Sequence, residues 1–339
     1  MNTQRFETIT SAYRRLRVAV LGDFCLDRYL EIDPARQETS IETGLPVHNV
    51  VRVRAQPGAA GTVLNNLVAL GVGTVYPVGF CGEDGEGFEL ARGLARMNGV
   101  RLDHFIRTPA RRTFTYCKPL VVEKDAPPRE LSRLDSKNWT PTPPEVEAQV
   151  IAALRALEAN VDAIIIMDQV DLAETGVVTG AVLGEIAAMA GRRPELLILA
   201  DSRRGLAGYP PVSLKMNRVE LGMLLSAAPP EGIDQVKVAA AKLARRRGRH
   251  VFVTLAERGL VGAEPGGQAE HLPALPVRGP IDIVGAGDAV SANLAAALAG
   301  GASLAEALEL ANAAASVVIH QLGTTGTATV DQLRRLLPA

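Results

Sequence analysis

Residues 282–288 read Asp-Ile-Val-Gly-Ala-Gly-Asp, and an alanine-rich helical pattern, Ala289–Ala299, follows them directly. Gly300-Gly301 closes that pattern and suits a left-handed C-cap. The Gly285-Ala286-Gly287 turn therefore stands at a helix N-terminus. Small side chains there let backbone N–H groups close on a phosphate, and the helix dipole favours its negative charge. Asp288, next to the turn, is placed to take the proton of a hydroxyl attacking that phosphate. The spacing supports a second reading equally well, a Gly-rich turn with Asp288 as helix N-cap.

Upstream, short apolar runs alternate with Ala/Leu-rich helical stretches. The runs are Val18–Leu21, Val75–Gly79, Ala163–Met167, Leu196–Ala200 and Val251–Leu255, each apolar throughout, as strands covered on both faces should be. The helical patterns include residues 87–97, 145–159, 175–190 and 236–246. This alternation predicts an α/β fold, a doubly wound, mostly parallel sheet with helices on both faces.

Two segments break the rhythm. Residues 28–56 and 107–134 show strand alternation, as in Val47–Val53 and Thr113–Tyr116, and no convincing helix. They predict a small β-sheet lid able to close over a substrate, with long surface hairpins as the plainer alternative. The main domain then comprises residues 1–27, 57–106 and 135–339. A flap with open edges also predicts pairing of two lids into a homodimer.

The rest of the 339-residue chain narrows the function. Hydrophobic residues make up 47%, enough for a large core, and a net charge of −1 argues against nucleic-acid and anionic-membrane partners. Cys25, Cys81 and Cys117 form no CxxC pair and read as reduced thiols, and residues 1–17 lack an apolar signal core, so a cytoplasmic location is expected. No apolar run is long enough to span a bilayer. There is no GxxxxGK[ST], and Gly71-Val72-Gly73 lacks the third glycine of a dinucleotide fingerprint. The five histidines show no ligand spacing, and the basic run Lys242–Arg249 reads as a solvated helix end.

The heptad at 282–288 resembles the DTxGAGD signature of the ribokinase-like (PfkB) carbohydrate kinases, and the likeness covers nearly the whole chain in order. Val18–Asp23 followed by Asp27 is similar to the family's first strand, where an acidic residue holds sugar hydroxyls. Pro57–Gly61 resembles its Gly-rich sugar-binding turn. Asn217-Arg218-Val219-Glu220 resembles the NxxE motif near Mg²⁺ and the phosphates, Thr254–Gly259 the nucleotide-side loop, and Ala311–Ala315, with Asn312, the helix beside the adenine. Gly22-Asp23, Leu26–Tyr29, Arg133-Leu134-Asp135 and Leu322-Gly323-Thr324 are similar to the heptose kinase domain of lipopolysaccharide-core synthesis.

The resemblance implies ATP and Mg²⁺ as cofactors, with a K⁺ site near Asp282. It implies a catalytic group of Asp288 with Gly285, Ala286 and Gly287. Sugar contacts fall on Asp27, Gly58, Ala59, Thr62, Asn66 and Asp168. ATP contacts fall on Asn217, Glu220, Thr254, Glu257, Gly259, Asn312 and Arg203, with Glu220 reaching Mg²⁺ through water. Taken alone, Asp27 also reads as a turn aspartate, Glu220 as a solvated helix residue and Asn217 as a helix N-cap. The chain departs from the pattern in places. Thr62 replaces the sugar-binding Asn and Ala59 the second glycine. Asp168-Gln169-Val170-Asp171 lacks the subfamily's lysine, and Asp201-Ser202-Arg203 replaces Asp-Pro-Lys. The expected function is ATP-dependent phosphorylation of a sugar or sugar phosphate. The alternative is a ribokinase-fold binding or regulatory protein that has lost efficient transfer.

Overall fold

A computed structural model describes residues 1–124 and 126–337. In chain order the strands are β1 (Arg17–Gly22), β2 (Phe24–Ile32), β3 (Glu38–Thr39), β4 (Pro46–Val47), β5 (Val50–Ala59), β6 (Thr74–Gly82), β7 (Phe105–Thr108), β8 (Phe114–Val121), β9 (Arg129–Glu130), β10 (Leu134–Ser136), β11 (Ala163–Asp168), β12 (Leu197–Ser202), β13 (Ser213–Asn217), β14 (Val251–Thr254), β15 (Leu260–Ala263) and β16 (Ala269–Leu272).

Among the described residues, nine strands form one sheet in the order β16-β15-β14-β13-β12-β11-β1-β6-β7. Its pairs are parallel from β14 through to β7, and β15 and β16 add antiparallel to one end. The apolar runs lie in this sheet because both faces are covered. In β1, Val18 and Val20 enter one core while Ala19 and Leu21 enter the other. In β11, Ala163, Ile165 and Met167 alternate with Ile164 and Ile166 in the same way. The chain reverses its direction of growth between β1 and β11. Ligands of open α/β sheets bind beyond the carboxyl ends of strands at such a switch.

The lid is a second sheet, ordered β10-β8-β2-β5, with β9 on β8. β2 pairs antiparallel with β5 and parallel with β8. Its pairing begins at Phe24, so Asp27 stands within a lid strand, between Gln56 on β5 and Tyr116 on β8. The expected strand Val47–Val53 is broken: Pro46–Val47 pairs with Glu38–Thr39, and β5 starts at Val50.

Several helix starts differ from the pattern; the helix expected from Val236, for one, begins at Ile233. The helix expected from Thr175 begins at Gly180, with Thr179 as N-cap. Buried Asp23 draws the preceding backbone away, accepting N–H from Gln169 (2.8 Å), Val170 (3.3 Å) and Val177 (2.7 Å). The helix expected from Ala289 begins at Ala286 and runs to Ala299. Its N-cap is Gly285, at φ 82°. Asp288 is thus the third helical residue and not the cap, which removes the capping reading.

Candidate active site

The turn before helix Ala286–Ala299 is held open towards the cleft by Asp282. Its carboxylate accepts N–H from Val284 (3.0 Å) and from Gly323 (3.3 Å) on the facing loop. Ala286 N–H is bonded to Ile283 O, and Ala289 N–H to Gly285 O. Among the described residues, the amides of Gly285, Gly287 and Asp288 have no backbone or side-chain acceptor. They form the free donor set of the helix N-terminus, a ready-made anion site.

On one side of this turn lies a cavity of about 610 Å³. Five of the expected ATP residues line it, Asn217, Thr254, Glu257, Gly259 and Asn312, together with Ala286 and Gly287. Its walls are largely apolar, with Leu255, Leu275, Val277, Ile281 and Val290, which suits the flat face of a base. Asn312 Nδ2 donates to Pro273 O at 2.9 Å, and the buried Ser316 Oγ has no partner among the described residues.

Asp288 follows Gly287 of the cavity wall and lies near enough to Asp27 of the lid for their charges to interact. Burial pushes its pKa up to about 7; Lys215 opposes the shift, while Asp201 and Asp27 add to it. A carboxylate so tuned is a proton acceptor near neutral pH. Lys215 is a charge that the sequence reading passed over. It pairs with Asp201 Oδ2 at 2.5 Å. A lone lysine in the apolar run Ser213-Leu214-Lys215-Met216, two residues before Asn217, was the available signal.

Asn217 and Glu220 do have the local role that each suggested alone. They form a capping box: Asn217 Oδ1 accepts from Val219 N and Glu220 N, and Glu220 Oε2 accepts from Asn217 N at 2.7 Å. Burial and the charge of Asp201 raise the Glu220 pKa, against that amide and Lys215. A carboxylate with one oxygen outside the box and a surplus of neighbouring negative charge fits a Mg²⁺ held mainly by phosphates and water. Each Asp282 oxygen accepts one amide and keeps a lone pair, so the carboxylate can hold the turn and still face a K⁺.

On the lid side, Asp27 is buried, and Lys118 Nζ lies 3.4 Å from its Oδ1 and 3.4 Å from Tyr29 Oη. Burial raises the Asp27 pKa and Lys118 opposes it. A Cβ on Gly58 would stand 2.2 Å from Asp27 Oδ2, so only glycine leaves the carboxylate its place. Thr62 is also buried, its Oγ1 has no partner among the described residues, and its Cγ2 is 3.5 Å from where a Gly285 Cβ would be. Arg133 and Lys137 lie 4.8 and 6.0 Å from the Tyr116 ring centre. Lys118, like Lys215, was missed, because which lid face a side chain joins depends on the pairing of β8 with β2.

Three expected ligand residues point elsewhere. Asp168 is fully buried, and its Oδ2 accepts from Ser202 (2.8 Å), Arg204 (2.7 Å) and Tyr209 (3.0 Å). That cage ties β11 to β12 through Oδ2, while Oδ1 is buried with no hydrogen-bond partner among the described residues. Asn66, also fully buried, donates to Thr62 O (3.0 Å) and Gly326 O (3.4 Å), so it supports the sugar-side turn from behind. Arg203 is exposed and faces Asp171 at 3.7 Å; like Lys215, it is not among the residues lining the cavity beside the turn.

The sheet order, the lid and the glycine turn at a helix N-terminus define a ribokinase-like α/β protein. The chain belongs to the pfkB family of carbohydrate kinases, which it matches over residues 17–330. It is 35% identical over 336 residues to the bifunctional protein HldE of Rhodospirillum rubrum, covering 97% of this chain and 64% of that protein. The chain spans 64–66% of the length of the first curated relatives it matches. Its fold is shared with Arabidopsis thaliana ribokinase complexed with ribose and ATP (TM-score 0.68, 20% identity, 95% of this chain and 98% of that one). It is shared equally with Escherichia coli phosphofructokinase-2 in complex with potassium (TM-score 0.70, 18% identity, 94% and 97%). No helix among the described residues is long and apolar enough to cross a membrane.

Proposed function

We propose that this chain transfers the γ-phosphoryl group of ATP to a hydroxyl of a sugar or sugar phosphate, with Asp288 as general base. One observation carries the reading: Asp288 stands in the first turn behind free anion-binding amides, with the apolar cavity on one side and Asp27 on the other. ATP lies in the cavity with its phosphates towards Gly287. Asp27 holds the acceptor's hydroxyls, and Thr62 offers its free hydroxyl beside them. Asp288 takes the acceptor proton, and the amides of the turn stabilise the transferring group. Mg²⁺, reached by Glu220, supplies charge neutralisation on the phosphates.

The basic side chains against Tyr29 and Tyr116 favour an acceptor that itself carries a phosphate. The relatives named bifunctional protein HldE accord with the heptose-kinase likeness of the sequence. We assign Asp282 to holding the turn, and turnover with and without K⁺ checks that assignment. The lids pair two chains through β5, an edge strand of the lid sheet.

The test is a panel of sugars and sugar phosphates assayed for ATP consumption with the native chain and Asp288→Asn. The variant is expected to lose at least about 10²-fold in kcat while keeping its fold. Near-normal turnover by Asp288→Asn would remove the assignment. Ligand-induced stabilisation without turnover by the native chain would favour a binding protein instead.

A further inference from the structure

The phosphate-side cation is not where the sequence suggested. Arg203 is exposed and turned to Asp171, whereas Lys215 lies against the catalytic turn. The Lys215 side chain is 8% exposed. A Cβ on Gly287 would stand 3.1 Å from its Nζ. The ammonium has three N–H groups, and among the described residues its one hydrogen-bond acceptor is Asp201 Oδ2 at 2.5 Å. Asp201 is itself oriented by Ser291 Oγ at 3.3 Å, and Ser291 Oγ also bonds Gly287 O at 3.2 Å. Lysine, Asp201 and the catalytic turn are thus one connected unit.

Burial works against the charge on Lys215, yet Asp201, Asp288 and Glu220 all hold its proton in place. An ion pair tying β12 to β13 would need Asp201 alone. It would not place spare N–H groups against Gly287, whose own amide is free among the described residues.

We propose that Lys215 grips the γ-phosphoryl group of ATP through its two spare N–H groups and steers it towards the acceptor. This rests on the kinase reading above. In the transfer, the acceptor oxygen bonds to the γ-phosphorus as the bond to the β,γ-bridging oxygen breaks. ADP leaves with that electron pair, and the acceptor proton goes to Asp288. Lys215 stays protonated throughout. A compact ammonium on a flexible stem can follow the moving group, as a fixed guanidinium fork cannot.

The test is calorimetric titration of ATP and of ADP, each with Mg²⁺, into the native chain, Lys215→Met and the double variant Lys215→Met/Asp201→Asn. The double variant leaves no stranded carboxylate. ATP binding is expected to weaken about 10- to 100-fold in both variants, the loss of a charge-assisted contact. ADP, which lacks the γ-phosphate, is expected to bind as before. A native-like ATP-to-ADP ratio in the folded double variant would overturn the role of Lys215 and leave the kinase reading standing. If the native chain bound neither nucleotide, the kinase reading would fall and this role with it.

Discussion

Single residues set the chemistry at the floor of the cleft. The raised pKa of Asp288 has two consequences of opposite sense. In the proposed role of base it must be ionised, so kcat/KM should rise with pH through about 7 and level off above it. For stability the sign reverses. A carboxyl whose folded pKa lies above its ordinary value stabilises the fold most below that ordinary value, and the contribution is lost as pH rises through about 7. Asp288→Asn removes this loss, so its melting temperature should exceed the native one by more at pH 8 than at pH 5. Ala59 is a second residue under strain. It stands at φ 54° and ψ −117°, a conformation suited to glycine, beside the sugar-side turn. Ala59→Gly is expected to stabilise the fold by about 1 kcal/mol, read from denaturant unfolding. An unchanged or lower midpoint would show that the strain is not real.

Elements are joined at this site by side chains that cap and bridge at once. Asp84 caps helix Gly85–Ala95 through Gly87 N at 2.7 Å, and it accepts Thr113 N (3.0 Å) and Thr113 Oγ1 (2.6 Å) just before β8. Burial opposes its charge, but the bonds from Thr113 and Gly87 hold its pKa below the ordinary value. Asp84→Ala should cost about 2 kcal/mol, the loss of a cap and of a bond anchoring the lid. Its stabilising effect in the native chain should be present above the ordinary aspartate pKa and fade as pH falls through the lower folded value. Urea midpoints of both proteins at pH 7 and pH 3 measure the difference. An equal gap at the two pH values would argue against the carboxylate.

At the scale of the whole molecule, the proposed pairing of two chains rests on the lid edge. β5 is an edge strand, and Val51 and Val53 on it are 52% and 48% exposed. Such an edge is a template for pairing. Val51→Lys/Val53→Lys is expected to turn a dimer into a monomer in sedimentation velocity, with little loss of thermal stability. A native chain that sediments as a monomer at all concentrations would end the lid-pairing proposal.

Much of this protein was legible in the sequence because local chemistry and fold agree there. Unbroken apolar runs announced strands covered on both faces, and Gly-Ala-Gly before an alanine helix marked the turn whose amides are free, while leaving Asp288 open between base and cap. Asn217 and Thr254, which line the cavity, likewise stand at the ends of β13 and β14. What tertiary structure alone decided was which way the charges face. Asp168 and Asp27 look alike in sequence, yet one is caged by Ser202, Arg204 and Tyr209 while the other stands on a lid strand beside Lys118. Arg203 looked like the phosphate cation, but the ammonium beside Gly287 comes from Lys215 on the neighbouring strand. The reason is physical. A buried charge is placed by partners distant in sequence, and strand register and sheet order decide which partners those are.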